Sequence, residues 1–467
     1  MRINYKSLLY IIALYIIGIL MLIKVAFSSF EYKYESVFII ISYFIVLLIY
    51  LNVILRDNDD LLYPIHFVTI LYIFIFVYCP IYLIFEGRTD IRGTIVMDGC
   101  IRATVIFVIS YFAFSLGYLF KKAPKFMYLD KLIKEEYPLK IINKIIYLAL
   151  LIWGFGMLVN LYFLLRSGMN LTYIFSLGQG GEFNLTGSMS NMEFISNFGL
   201  FMVVPWLYIL YYSNNKMLKF GITFITTAIY FIRGFRFIIV IMIIARALCY
   251  YREKRKHPSM KIILLGVLGG LIFISLLGFM RHDLRNGTKI EWGNFDLSQI
   301  GYALETNFNI YKPFYGLVNN YPNRYSYTFG QSMIIDTAAH FIPRIIWTTK
   351  PLAAESAMAI AMKNSTNDFA YDVAGMAWPN IGEYYMEFGI VGCIILMFIL
   401  GIVTKKTLIL YKSSKIDNII IYSVFYGFLL QLITRGYTPT IVGLMLFLYL
   451  PSLPIKFYSS KWRLQKE

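Results

Sequence analysis

The chain has 467 residues, of which 59% are hydrophobic, and its mean hydropathy is +0.65. This composition excludes a soluble globular protein and predicts a membrane protein that crosses the bilayer many times. The formal net charge of +17 does not indicate nucleic-acid binding, because an excess of cations in cytoplasmic loops is expected of such a protein.

Apolar stretches long enough to cross a bilayer follow one another from the N-terminus. The first, residues 7–27, is too long for a signal peptide and predicts an uncleaved helix. The stretch 218–251 is too long for one crossing, so we expect two short helices joined by the charged turn 233–236. The predicted spans are 7–27, 36–55, 62–85, 100–120, 141–165, 193–213, two within 218–251, 261–280, 381–404, 416–434 and 437–456.

These stretches predict an all-α, polytopic integral membrane protein with about twelve transmembrane helices. About nine helices belong to an N-terminal bundle, residues 1–280, and about three to residues 381–467, which end in a cytoplasmic tail. Between the two parts lies a long polar interruption, residues 281–380. We expect it to be a large periplasmic loop that carries short helices.

Lysines and arginines divide between the two sides of the predicted membrane. Lysine-rich loops fall on one side, which places both termini in the cytoplasm and residues 281–380 outside. The outward cations are mostly arginines, whose planar guanidinium binds phosphate or carboxylate bidentately. A single arginine at a helix end can simply reach lipid headgroups, but the set on one face favours an anionic ligand. The arginines concerned are Arg233, Arg236, Arg281, Arg285, Arg344 and Arg435.

The loop 281–380 is rich in aromatic residues, including Trp347 and Trp378. Such residues suit sugar rings, although they also form belts at membrane interfaces. Apolar residues recur at helical spacing over 300–311 and predict an amphipathic segment on the membrane surface, which Pro313 interrupts. The loop also supplies candidate ligand-binding residues with basic side chains, namely His282, His340 and Lys350.

The chemistry expected outside the cytoplasm starts from a substrate that is already activated, because no ATP is available there. A glycan on a lipid pyrophosphate fits the aromatics, the arginines and the bilayer. Arginines aimed at the pyrophosphate would stabilise the charge of the leaving group. Glu383, at the outer mouth of span 381–404, is placed either to accept the proton of an attacking hydroxyl or to serve as a capping or structural carboxylate. A metal site would need clustered outward aspartates, but the first outer loop offers only Glu31 and Glu35, so no metal is predicted. No cofactor is predicted either.

Two segments resemble the Wzy-type polymerases of bacterial O-antigen and capsule repeat units: PRIIWTTKP at 343–351 and IGEYYMEFGIVG at 381–392. The layout, with about a dozen helices and a large outward loop in the second half, is similar too. The resemblance implies a metal-independent, inverting transfer. In that reaction the growing glycan leaves undecaprenyl pyrophosphate and joins the non-reducing end of an incoming lipid-linked repeat unit.

Catalytic roles are predicted for Arg344, Glu383, Arg236 and Arg281. Substrate-binding roles are predicted for Arg233, His282, Arg285, His340, Trp347, Lys350, Trp378 and Arg435. The resemblance supports Arg344, Lys350 and Glu383 by motif, whereas the outward arginines and His282 depend on the topology argument.

The expected partners are the undecaprenyl-pyrophosphate-linked oligosaccharide, as donor and acceptor, and the lipid bilayer of the bacterial inner membrane. A chain-length regulator and a flippase are further candidates, and no nucleic acid is expected. Two alternative functions remain open. One is a ligase that moves finished glycan onto lipid A core. The other is a flippase or transporter, which typically has paired repeats and interrupted helices in both halves; no internal repeat is present.

Overall fold

A computed structural model describes most of the membrane-spanning part of the chain. The described residues are 5–27, 31–56, 62–85, 87, 90–91, 94–95, 97–120, 138–166, 193–254, seven positions between 258 and 272, 310–323, 325–342, 346–347, 378–413 and 415–464. Nearly all of them lie in helices, as the composition predicts. The β pairing among them is limited to two-residue antiparallel strands, Asp90–Ile91 and Thr94–Ile95.

The helices of the first half follow the predicted apolar stretches closely. Those before residue 138 are α1 (Tyr5–Ala26), α2 (Lys33–Arg56), α3 (Pro64–Ile73), α4 (Cys79–Phe85) and α5 (Cys100–Phe120). A π-helical turn, Phe74–Tyr78, joins α3 to α4, and a 3-10 turn, Met97–Gly99, precedes α5. Next come α6 (Leu139–Arg166), α7 (Glu193–Ser196), the 3-10 turn Asn197–Met202 and α8 (Val203–Tyr212).

The long apolar stretch 218–251 divides as predicted, into α9 (Lys216–Ile232) and α10 (Arg236–Lys254). Gly234 has φ +72° in the turn between them. The helices of the second half are α11 (Tyr311–Asn320), the π-helical turn Gln331–Asp336, α12 (Thr337–His340), α13 (Asn380–Lys412), α14 (Ile416–Thr434), α15 (Thr438–Tyr449) and α16 (Ser452–Leu464).

Seven helical segments of the described residues are long and apolar enough to cross a membrane. They are Lys33–Arg56, Pro64–Phe85, Met97–Phe120, Leu139–Arg166, Asn380–Lys412, Ile416–Thr434 and Thr438–Ser459. Ile12–Ala26 and Asn197–Tyr212 are apolar but shorter. The predicted total of about twelve spans therefore stays a prediction, because span 261–280 and much of the loop 281–380 lie outside the described residues.

The predicted span 381–404 lies within a helical segment long and apolar enough to cross a membrane, but this segment is broken rather than straight. Phe388 and Gly389 interrupt α13 with non-helical backbone angles, and Gly389 has φ +64°, which glycine adopts at little cost. In a straight helix, residues 17 apart are about 25 Å apart. Here Asn380 Nδ2 lies 3.5 Å from Met397 Sδ. The short arm before the break, residues 380–387, therefore folds back along the long arm after it; we call residues 380–397 the hairpin.

The long arm of α13 packs parallel to α5 through two glycines. A Cβ added to Gly117 would lie 2.0 Å from the carbonyl oxygen of Phe398, and one added to Gly401 would lie 2.1 Å from that of Phe114. Only the absence of side chains allows the two backbones to approach this closely. The hairpin is thereby held against one end of α5.

The prediction that Pro313 interrupts the segment 300–311 stays a prediction, because only the last two residues of that segment are described. Pro313 itself lies in the first turn of α11, where the N–H groups of a helix have no partner within the helix, so the missing N–H of proline costs no hydrogen bond. The helix is buried against the start of α5, since a Cβ added to Gly99 would lie 2.2 Å from the carbonyl oxygen of Tyr315.

Candidate active site at the broken helix

Two carboxylates lie one helical turn apart on the short arm of the hairpin. Glu383 and Glu387 are spaced i, i+4, so both project from the same face, and both are fully buried. Glu383 accepts the backbone N–H of Thr438, which lies 3.0 Å from each of its oxygens, and also the Thr438 hydroxyl. The Ser332 hydroxyl lies 2.9 Å from its Oε1.

Glu387 is bound by the segment that precedes the π-helical turn Gln331–Asp336. It accepts the backbone N–H groups of Ser332, at 2.9 Å, and of Gly330. Gly330 has φ +93°, which turns the chain so that both N–H groups point at the carboxylate. The break in α13 leaves carbonyl groups without helical partners. Those of Met386 and Glu387 accept the N–H groups of residues 328 and 329 at 3.2 and 3.1 Å.

The Ser332 hydroxyl lies within hydrogen-bond distance of both carboxyl groups. A serine hydroxyl has one hydrogen to donate. When it donates to one carboxyl group, its contact with the other requires a proton on that second group. The pair of Glu383 and Glu387 with Ser332 is therefore an arrangement that can hold and pass one proton. We call these three residues the carboxylate cluster.

The contacts of Glu383 also fit the structural role that the sequence left open. Its carboxylate lies at the N-terminus of α15, where the helix dipole favours a negative charge. It joins three segments: the short arm, the π-helical turn that carries Ser332, and the start of α15. A catalytic role for Glu383 stays a prediction.

Three other predicted site residues surround the first half of α15. The carbonyl oxygen of Trp378 accepts the N–H of Gly436 at 3.0 Å, which places the turn containing Arg435 beside the start of the short arm. His340 packs against Gly443 of α15, where an added Cβ would lie 3.0 Å from the His340 Nε2. The Trp378 ring is buried, and its Nε1 has no hydrogen-bond partner among the described residues.

Arg233 lies apart from this group, inside the bundle. Its guanidinium donates to Asn160 Oδ1 at 2.5 Å and to Ser196 Oγ at 2.9 Å. It is 4.7 Å from the ring centroid of Phe235 and only 1% exposed. These contacts connect Arg233 to α6 and α7, and the predicted contact with substrate stays a prediction.

The remaining predicted residues are only partly described. Trp347 is half-buried, and the described contacts do not connect it to the hairpin. Arg236 begins α10, but its side chain is outside the description. Arg281, His282, Arg285, Arg344 and Lys350 lie outside the described residues.

Sequence reasoning missed several residues of the site. Glu387 lies within the segment 381–392 that carries the resemblance, and its spacing from Glu383 was the available signal. Ser332 and Thr438 gave none, because they are 51 and 55 residues from Glu383. Arg102 is a cation inside a predicted span, and its Nη2 donates to the Tyr385 hydroxyl at 2.8 Å.

Tyrosines line the hairpin next to Glu387. The rings of Tyr321 and Tyr325 are 5.7 Å apart, and those of Tyr327 and Tyr385 are 6.0 Å apart. Burial, followed by the neighbouring Tyr325 and Glu387, raises the pKa of Tyr321 to about 12. Its phenol therefore stays protonated at neutral pH and keeps its hydrogen-bond donor. In the described part of the chain, no group of three or more His, Cys, Asp or Glu side chains could hold a metal ion.

Comparison with known proteins identifies a family. The family model described as O-antigen polysaccharide polymerase Wzy matches residues 8–466, nearly the whole chain. No curated protein and no solved structure matches.

Proposed function

The chain belongs to the O-antigen polysaccharide polymerase Wzy family, whose members polymerise lipid-linked repeat units in a membrane, and we propose that the hairpin is where its glycosyl transfer takes place. The observation that carries this proposal is the carboxylate cluster, two buried carboxyl groups that share one serine at a break in a membrane helix. Buried ionisable groups in a membrane-spanning segment are costly and mark functional sites.

The transfer proceeds between two lipid-linked glycans. The donor is the growing glycan on undecaprenyl pyrophosphate, and the acceptor is a single repeat unit on the same carrier. A hydroxyl of the acceptor's non-reducing sugar attacks the anomeric carbon from the face opposite the pyrophosphate, so the configuration is inverted. The anomeric C–O bond breaks, and its electron pair stays on the pyrophosphate. The proton of the attacking hydroxyl passes to Glu383 of the carboxylate cluster.

Arginines supply the positive charge that faces the leaving group. Arg344, with Arg236 and Arg281, donates to the pyrophosphate oxygens as negative charge develops on them. We propose arginine rather than a divalent cation in this role, because the paired carboxylates Glu383 and Glu387 already accept backbone N–H groups from Thr438, Gly330 and Ser332. A flippase and a chain-length regulator are expected partners, because repeat units must be delivered across the membrane and the length of the polymer must be limited.

The protein is a multi-pass inner membrane protein, and we propose that the hairpin faces the periplasm with both termini in the cytoplasm. Cations at the opposite end of α13 support this orientation. Lys405 lies 4.4 Å from the ring centroid of Tyr118. Arg252 donates to the carbonyl oxygens of Tyr411 and Ser413 at 3.0 and 3.1 Å. An excess of cations at one end is typical of the cytoplasmic side.

One observation favours a second candidate function. The break in α13 is a feature of transporters, which use interrupted helices to build a site within the membrane. A transporter forms no glycosidic bond, however, and the family match supports polymerisation. A ligase that transfers finished glycan to lipid A core is the third candidate.

The lipopolysaccharide of a strain that lacks this gene separates a polymerase from a flippase or a ligase. Loss of a polymerase is expected to leave a single repeat unit on the core, because ligation and transport continue. Loss of a flippase or a ligase would leave core without glycan. Gel electrophoresis of the extracted lipopolysaccharide reads this directly, and a core without any repeat unit would contradict polymerisation.

A further inference from the structure

Arg102 stands in an unfavourable place for a cation. It occupies the first turn of α5, where the positive end of the helix dipole repels it. It forms no ion pair within the described part of the chain. A charge inside a membrane-spanning segment is a functional-site candidate by default.

Tyr385 holds the guanidinium in place. Arg102 Nη2 donates to the Tyr385 hydroxyl at 2.8 Å, and that hydroxyl donates in turn to the carbonyl oxygen of Tyr321 at 3.2 Å. The Tyr385 ring is fully buried, whereas Arg102 is exposed. Tyr385 is therefore a rigid anchor that orients the guanidinium. The other N–H donors of Arg102 are directed at no described residue.

The Tyr385 ring centroid lies 5.9 Å from this guanidinium, and further tyrosine rings pack around Tyr385. Tyr327 contacts the Tyr385 ring edge-on at 6.0 Å and stacks with Tyr321 at 6.4 Å. Tyr325 packs on Tyr321, and both Tyr325 and Tyr327 are partly exposed. A guanidinium next to accessible phenol rings can bind a sugar phosphate. Its N–H groups donate hydrogen bonds to the phosphate oxygens, and the rings pack against the face of the sugar.

We propose that Arg102 binds a phosphate group at the hairpin, and that during turnover this group belongs to the pyrophosphate of the lipid-linked substrate. The first sugar then lies against Tyr325 and Tyr327, and Tyr385 acts as a positioning residue. The identification of the bound group as pyrophosphate rests on the proposed function. The inference that Arg102 binds a phosphate does not. Bilayer lipid headgroups offer the same phosphate chemistry and are the competing source.

Binding of farnesyl pyrophosphate to the full chain in dodecyl maltoside, a detergent without phosphate, tests the proposal. Arg102→Gln is expected to weaken binding by about tenfold or more, the usual effect of losing a hydrogen bond to a charged group. Arg166→Gln is the matched control, because Arg166 also donates to a tyrosine hydroxyl, that of Tyr162 at 2.8 Å, and is expected to bind as the unaltered protein does. Equal affinity of the Arg102→Gln protein and the unaltered protein, with equal thermal unfolding midpoints, overturns the proposal.

A second arm identifies the source of the phosphate. Phosphatidylglycerol added at the same concentration as farnesyl pyrophosphate is expected to leave its dissociation constant unchanged. Displacement of farnesyl pyrophosphate by phosphatidylglycerol in the unaltered protein, absent in the Arg102→Gln protein, would assign the site to lipid headgroups and overturn the pyrophosphate assignment. The assay needs no turnover, so a protein that binds through Arg102 and makes no polymer contradicts the proposed function alone.

Tyr385→Phe separates positioning from direct binding. The variant keeps Arg102 and the ring but removes the hydroxyl that anchors the guanidinium. Its affinity for farnesyl pyrophosphate is expected to fall, but by less than in Arg102→Gln, because the cation is still present and only its orientation is lost. Unchanged affinity in Tyr385→Phe would overturn the positioning role of Tyr385.

Discussion

Glu383→Gln is expected to lower the rate of polymerisation by about 10²-fold or more, the usual range for loss of a general base. The amide keeps the shape of the side chain and one oxygen for the Thr438 N–H, but it cannot take a proton from the attacking hydroxyl. The rate is measured as polymer formed per folded protein, with donor binding measured in parallel. If Glu383 is the base, the Glu383→Gln protein is expected to polymerise more slowly but to bind the donor as the unaltered protein does.

A purely structural carboxylate gives a different result. Its loss lowers the thermal unfolding midpoint and the amount of folded protein, while each folded molecule polymerises at the normal rate. Asp417→Asn is the matched control, because Asp417 is also buried but lies near Ser459, away from the hairpin, and it is expected to affect stability alone. Normal polymerisation by Glu383→Gln protein at normal levels removes Glu383 from the site.

Arg344→Lys is the second substitution with a large expected effect. Removing one prearranged donor to a developing anion typically costs about 10²–10³ in rate. Lysine keeps the charge but not the planar fork, so we expect most of this loss. The measurement is the length distribution of the polymer made by cells that carry equal amounts of either protein.

Arg236→Lys tests the proposed binding of pyrophosphate by arginines at a second position, the start of α10, and the control is Arg166→Lys. Arginines that only reach lipid headgroups tolerate lysine well. Near-normal polymer length in both Arg344→Lys and Arg236→Lys cells contradicts the proposed binding of pyrophosphate by these arginines. In the control, the polymer made by Arg166→Lys cells is expected to have the same length as that of the unaltered protein.

Sequence periodicity predicted most helices but not the fold of the hairpin. The run from Ile381 to Gly392 continues an apolar stretch of the right length for one span, and a single glycine within a helix is usually tolerated. The reversal at Gly389 depends on contacts that no local pattern contains, such as that of Asn380 with Met397. Length and hydropathy therefore locate a membrane helix without revealing where it folds back.

The site was predictable only where its residues are close in sequence. Glu383 and Trp378 were predicted from a motif and from a cluster of aromatics; the structure places both at the hairpin, and their roles stay predictions. Arg233 was grouped with the outward arginines by topology. Its partners Asn160 and Ser196 are 73 and 37 residues away, so its buried position emerged only from the packing of α6 against α7.

The proposed glycosyl transfer requires that the hairpin faces the periplasm. Labelling of single introduced cysteines with a membrane-impermeant maleimide, in cells with a permeabilised outer membrane, tests it most directly. Asn319 at the end of α11 and Lys254 at the end of α10 are both exposed, whereas the four native cysteines are buried, so the background is low. We predict that Asn319→Cys is labelled in intact cells and that Lys254→Cys is labelled only after lysis. Labelling of Lys254→Cys but not Asn319→Cys in intact cells, or of both alike, would contradict the orientation and with it the site.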